Sequence, residues 1–281
     1  MVAQIQNQLH SFFVNLSIKT LTMNNLNISI IQTDLVWEDK EKNLEKFDGL
    51  LEKVSKDSQL IVLPEMFTTG FTMEPERLAE DYSGMGFQWM KKKAADKNAV
   101  IMGSLVFNDN GNYHNRLFFV SPDGSYEFYD KRHLFRMARE HEHYTQGNDA
   151  VVVTQNGWRI RLLICYDLRF PVWSRNRNDY DLLIVSANWP EVRREAWRTL
   201  LLARAHENQA YVVGVNRIGK DGRGVMHSGD SMVVDPQGKI ISKTQPFEES
   251  VENLSINLDM LNEYRQKFPA HLDADRFEIK E

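Results

Sequence analysis

The chain of 281 residues holds one cysteine, Cys165, so no intrachain disulfide can form and a disulfide-stapled architecture is excluded. A zinc site would have to draw mainly on histidines and carboxylates. Basic residues do not prevail: 34 Lys and Arg stand against 39 Asp and Glu, a net charge of −5. Nucleic acid or an anionic membrane surface calls for a basic patch, and this balance points to neither as a partner. The run Lys91-Lys92-Lys93 reads as the solvated face of an amphipathic helix. No stretch of about 18 apolar residues occurs, so no membrane-crossing helix is expected. Internal repeats, low-complexity tracts and Pro/Gly/Ser-rich linkers are also missing, which leaves one continuous domain as the simplest organisation. A chain without disulfides suits a reducing, cytoplasmic setting.

What is present is ordinary globular composition, 42% apolar and 26% charged. Residues 1–22 are interrupted by polar side chains throughout and lack the basic start of a signal peptide, so they read as an N-terminal extension or an upstream start. A single domain is expected over residues 23–281. Leu26–Thr33 reads as a buried strand. Glu38–Lys56 carries Leu44, Phe47, Leu50, Leu51 and Val54 at helical spacing. Gln59–Leu63 is a short strand, Gly86–Asn98 a helix and Val100–Phe107 a strand. Three hairpins follow from turn chemistry: Leu117–Val120 with Tyr126–Tyr129, Val151–Thr154 with Trp158–Ile164, and Ser231–Asp235 with Lys239–Lys243. Leu182–Ser186 and Tyr211–Asn216 are strands around a helix at Arg194–Asn208. Helices alternating with apolar strands, together with hairpins, predict a layered α/β fold with mixed sheets.

Three of these strands deliver a reactive side chain at their ends: Glu65 after Pro64, Lys131 after Asp130, and Cys165 after Ile164. A thiol must lose its proton to attack, and a carboxylate can take it. An ammonium or backbone N–H can stabilise the oxyanion of an attacked amide, and the carboxylate can return its proton to the departing ammonia. Each residue also has a plain reading: a lone cysteine packs, a glutamate after proline caps a turn, a lysine after a hairpin is solvated. A papain-like Cys–His–Asn site has no matching His block. A zinc hydrolase would rest on His141-Glu142-His143, whose i, i+2 spacing suits a strand face and not a helix; a polar loop is the simpler reading.

The segments Leu63-Pro64-Glu65-Met66-Phe67, Tyr129–Phe135 (YDKRHLF) and Ile164–Pro171 (ICYDLRFP) resemble, in order, the three signature blocks of the nitrilase, or carbon–nitrogen hydrolase, superfamily. Ser186–Pro190 (SANWP), Ala203–Gln209 (ARAHENQ) and Gly229-Asp230-Ser231 add supporting matches, and the resemblance runs from about Leu26 to Leu261. It implies a four-layer α-β-β-α sandwich, a Glu65–Lys131–Cys165 triad, a positioning Glu140 with Glu142 as the other candidate, and an oxyanion held by Lys131 and the Tyr166 N–H. No metal or organic cofactor is implied; a homodimer through helices near the nucleophile, or a higher homo-oligomer, is.

Within the superfamily, Tyr166-Asp167 replaces the Trp-Glu typical of true nitrilases, and Lys131–Met137 with Glu140–Tyr144 resembles the omega-amidases. These release ammonia from 2-oxoglutaramate or 2-oxosuccinamate. The rivals are a deaminated-glutathione amidase, a carbamoyl amidase, a nitrilase, and a catalytically silent scaffold subunit. An anionic substrate calls for a cation, with Arg136, Arg193 and Arg194 as candidates by position, and Trp189 is placed at the pocket wall. The tail His271–Glu281 is expected to pack over the surface or across a dimer neighbour.

Overall fold

The computed structural model describes residues Asn24–Ile279. The expected extension over residues 1–22 lies outside the described residues. Strands are β1 (Asn25–Gln32), β2 (Leu60–Val62), β3 (Val100–Asp109), β4 (Asn112–Val120), β5 (Tyr126–Asp130), β6 (Val152–Gln155), β7 (Trp158–Ile164), β8 (Leu182–Ala187), β9 (Tyr211–Asn216), β10 (Ile218–Lys220), β11 (Met226–Ser228), β12 (Met232–Val234) and β13 (Ser250–Asn257). The longer helices are α1 (Lys40–Leu51), α2 (Met85–Lys97), α3 (Arg194–Asn208) and α4 (Leu258–Lys267).

Two mixed sheets carry the fold, ordered β13-β1-β2-β3-β4-β5 and β12-β9-β8-β7-β6, with β10-β11 as a separate hairpin. The parallel pairs β1–β2–β3 and β7–β8–β9 form the centres, and antiparallel strands close the edges. The period-2 alternation of a strand sorts side chains to opposite faces. Ile28, Ile30, Leu60, Val62 and Met102 of the first sheet join Leu162, Ile164 and Ile184 of the second in one core. Their sequence neighbours Ile31, Ile61, Leu63 and Ile101 face the other way, onto Phe47 and Leu50 of α1 and Phe87 and Met90 of α2. On the far side of the second sheet, Trp197 and Leu201 of α3 lie on Gly214 of β9. The layers are therefore α-β-β-α.

Most elements fall within a few residues of their sequence reading, and α3 and β9 coincide with it. The first helix stops at Leu51, five residues short, where Ser55 accepts from the Asp57 N–H and its own N–H donates to Asn253 Oδ1 at 2.9 Å. The expected strand Lys239–Lys243 reduces to one bridge between Val234 and Ile240. The Asp235 N–H still bonds Lys239 O and the Ile241 N–H bonds Val233 O, but beyond them Ser242 Oγ accepts from the Val233 N–H and the Lys243 and Thr244 N–H groups donate to the Glu252 carboxylate, so side chains end the ladder. His141 and His143 lie on a single helical turn, Glu140–His143, where a loop was expected. A hairpin joining β3 to β4 was not read from the sequence, although Asn110 and Gly111, both at positive φ, form a strong two-residue turn signal. In the tail, Phe277 lies under the Arg177 guanidinium at 5.6 Å, against the chain's own surface. Among the described residues no helix is long and apolar enough to cross a membrane.

Gly214 marks a close approach of α3 to the sheet. A Cβ there would stand 2.5 Å from Leu201 Cδ1 and 2.8 Å from Trp197 Cζ2. Gly214→Ala is expected to cost about 1–3 kcal/mol by overpacking, read as a lowered urea midpoint at unchanged m-value.

Candidate active site

The strand ends of both sheets converge on one buried cluster. β2 runs into Pro64, and the Leu63 N–H still bonds Met102 O at 2.8 Å. Met66, at φ +44°, turns the chain sharply, its N–H held by Ser104 Oγ at 2.7 Å, and this leaves Glu65 pointing inward. β5 ends at Asp130, and the next N–H, that of Lys131, continues the ladder to Asn115 O at 3.0 Å. Lys131 Nζ donates to Glu65 Oε1 at 2.8 Å and to Glu140 Oε1 at 3.0 Å. All three side chains are essentially solvent-free, with residue exposures of 0%, 1% and 0% for Glu65, Lys131 and Glu140.

Each carboxylate has further donors. Asn115 Nδ2 donates to Glu65 Oε1 at 2.7 Å and lies 3.3 Å from Glu140 Oε1. The Asn188 N–H, just past β8, donates to Glu65 Oε2 at 2.8 Å, and the Phe135 N–H to Glu140 Oε2 at 2.6 Å. Glu65 thus bonds both sheets at once.

Cys165 opens a tight 3-10 turn, Cys165–Arg169, directly after β7. Its φ of +44° is a left-handed conformation rare for a non-glycine residue, with a strain of about 1–3 kcal/mol. Asp167 holds the turn. Its buried carboxylate accepts from the Ile164 N–H at 3.0 Å, Tyr129 Oη at 2.8 Å and the His133 N–H at 2.9 Å, with His133 Nδ1 at 2.8 Å. One side chain therefore ties the turn at Cys165 to the segment carrying Lys131.

Two carboxylates share one ammonium, and all three groups are buried. Burial alone would lower the Lys131 pKa; the charges of Glu140 and Glu65 outweigh it and hold the ammonium above its ordinary range. Burial raises Glu140, against the pull of Lys131. Burial also pushes the Cys165 thiol well above its ordinary range, and the Glu65 charge adds to the push against Lys131. The resting thiol is neutral and needs a base in contact with it to become a nucleophile.

Above Cys165 and Lys131 opens a cleft of about 680 Å³ including its mouth, within the range of small-molecule sites. Its walls include Phe135, Tyr166, Arg169, Trp189, Arg193 and His227.

The model of the family described as carbon-nitrogen hydrolase matches residues 27–266. The chain belongs to the carbon–nitrogen hydrolase family. This hydrolase is 50% identical over 259 residues to the omega-amidase YafV of Escherichia coli K12, spanning 92% of this chain and 100% of the relative. It is 31% identical over 251 residues to the 2-oxoglutaramate amidase of Bacillus subtilis 168, spanning 88% and 96%. XC1258 of Xanthomonas campestris, a CN-hydrolase superfamily protein with an arsenic adduct in its active site, superposes with a TM-score of 0.89. That likeness is at 41% identity and covers 91% of this chain and 99% of the other.

Of the residues singled out in the sequence, the hydrolase brings Glu65, Lys131 and Glu140 into direct contact, with Cys165 and Tyr166 at the cleft beside Lys131. Glu142 instead pairs with Arg139 on the surface. Trp189 and Arg193 line the cleft, and the Trp189 Nε1–H donates to Arg193 O at 2.9 Å. Arg136 is exposed beside a neighbouring depression with His141 and Gln146, and Arg194 is engaged by Asp230 at 2.7 Å, so neither reaches the cleft lining. Asn115 and the hub at Asp167 were missed as functional positions. A lone asparagine inside a strand carries no motif, and only the β3–β4 hairpin reveals where it points.

Lys131→Met leaves two buried carboxylates without a counter-charge and should cost about 3–5 kcal/mol. Adding Glu140→Gln to it should return at least about 1 kcal/mol, because the two sites share one interaction. Equal denaturation midpoints for the single and double variants would contradict the coupling.

His227, buried in the cleft wall, has its pKa lowered by burial and then by the Arg217 charge, from 6.5 to about 4. The unfolded chain therefore binds the extra proton first, and stability falls as pH drops from about 6.5 to 4, by an amount on the order of 3 kcal/mol. His227→Gln should flatten that part of the stability–pH curve and leave the curve above pH 7 unchanged in slope.

Proposed function

We propose that this hydrolase is an omega-amidase, which converts the terminal amide of a small 2-oxo acid, 2-oxoglutaramate or 2-oxosuccinamate, to the 2-oxo acid and ammonia. The observation that carries the reading is the buried Glu65–Lys131–Glu140 cluster, with Lys131 and Cys165 together in the lining of a cleft. The end-to-end similarity to proteins named omega-amidase and 2-oxoglutaramate amidase supports the choice of substrate.

In this reading Glu65 takes the Cys165 proton as Sγ attacks the amide carbon, and the carbonyl π electrons move onto oxygen. The oxyanion sits between Lys131 Nζ and the Tyr166 N–H. Glu140 is a positioning residue, holding the ammonium in place. As the C–N bond breaks, Glu65 returns its proton to nitrogen and ammonia leaves a Cys165 thioester. Water then attacks with Glu65 again as base, the C–S bond breaks, and the thiol regains its proton as the 2-oxo acid departs. Nothing in the scheme calls on a cofactor. The working unit is read as one hydrolase domain over residues 23–281, a cytoplasmic homodimer, with residues 1–22 appended to it; sedimentation of the purified chain tests the oligomer.

The test is ammonia release from 2-oxoglutaramate, the amide of deaminated glutathione, a carbamoyl amide and a nitrile. The wild type is expected to prefer 2-oxoglutaramate, and Cys165→Ala to lose at least about 10³-fold in kcat. Acid-quenched wild type should carry the acyl mass on Cys165, and Glu65→Gln should not. Equal release by wild type and Cys165→Ala would sink the mechanism, and preference for another substrate would sink the assignment.

A further inference from the structure

We infer that Arg193 selects for an anionic acyl group by gripping the substrate's carboxylate, a step that rests on the amidase reading above. Lys131 is held by two carboxylates at the reacting end of the substrate, where the proposed oxyanion uses it, so a carboxylate at the substrate's far end needs another cation. Three arginines are among the residues lining the cleft, Arg169, Arg193 and Arg223, and among the described residues none of them makes an ion pair. The contrast with the next residue is direct: Arg194 is bidentate to Asp230, at 3.1 and 2.7 Å.

Arg193 is also held in place without being neutralised. It ends the turn Glu191–Arg193 that follows β8, and its carbonyl accepts from the Trp189 indole N–H. Its guanidinium lies 5.3 Å from the centre of the Phe135 ring, with one N–H group 3.8 Å from Met137 Sδ. An aromatic face and a thioether fix the plane of a guanidinium while leaving its donors for a stronger acceptor. A 2-oxo carboxylate, with coplanar oxygens, suits that fork.

The other two guanidinium groups differ. Arg169 stacks 5.0 Å over Trp189 from the nucleophile's own turn, so changing it also disturbs Cys165. Arg223 is exposed in the turn between β10 and β11, where only its backbone N–H is fixed, on Asp221 Oδ1 at 2.9 Å. Its contribution is a screened, long-range attraction.

The experiment compares kcat/KM for 2-oxoglutaramate and for pentanamide, a neutral amide of the same chain length, in wild type, Arg193→Gln, Arg193→Lys and Arg223→Gln. Arg193→Gln is expected to lower the anionic-to-neutral ratio at least tenfold through KM, with kcat changed by less than threefold. Arg193→Lys should recover part of the ratio. Arg223→Gln should lower it less than threefold, and only below about 50 mM salt. A wild type that prefers 2-oxoglutaramate, with a ratio unchanged in Arg193→Gln or lost instead in Arg223→Gln, overturns the role of Arg193 and leaves the amidase reading standing. A wild type indifferent to the charge overturns both.

Discussion

The Lys131 ammonium, shut away from water between the carboxylates of Glu65 and Glu140, is the interaction on which the rest of the arrangement depends. A buried ion is tolerated only when its desolvation is met by close opposite charge and full hydrogen bonding. Here that requires β5 to end in register with Asn115, the turn at Glu140 to close onto Phe135, and the loop after β2 to bend back at Met66. A slip of one residue in any of these would leave a charge without its partner.

The cluster also joins the two sheets. Glu65 leaves the first sheet and accepts from Asn188 of the second, while Ser186 Oγ donates to Leu63 O at 2.9 Å. Asp167 makes the reverse tie, from the second sheet back to Tyr129 and His133. Such cross-bracing gives a physical reason why Cys165 can persist at a strained positive φ: the donors around Asp167 over-determine the turn. Burial, with the Glu65 charge adding to it, pushes the thiol up, so a nucleophile of the proposed kind would be generated as its proton passes to a neighbouring base.

Apolar periodicity exposed the parallel core strands and α3, because burial on both faces, or along one helical stripe, writes itself into local sequence. Local pattern failed where the partner of a backbone N–H is a distant side chain. Ser242 and Glu252 cut short the second arm of a hairpin, and Asn253 helps end α1 early. It failed again for charged side chains. Arg193 and Arg194 are adjacent and identical in type, yet Asp230 engages one and leaves the other at the cleft.

By itself the sequence determined the family, the layered α/β class and the identity of the strand-end residues Glu65, Lys131 and Cys165, since each is carried by a contiguous block. It also favoured Glu140 over Glu142, though only through the resemblance. The tertiary structure decided which of these side chains touch. It buried Glu140 and left Glu142 at the surface, brought Asn115 in from the middle of β4, and made Asp167 a hub. The reason is range. Strand and helix follow from neighbours along the chain, whereas the environment of a buried charge is set by groups tens to more than a hundred residues away, and only the closed sandwich brings them within hydrogen-bonding distance.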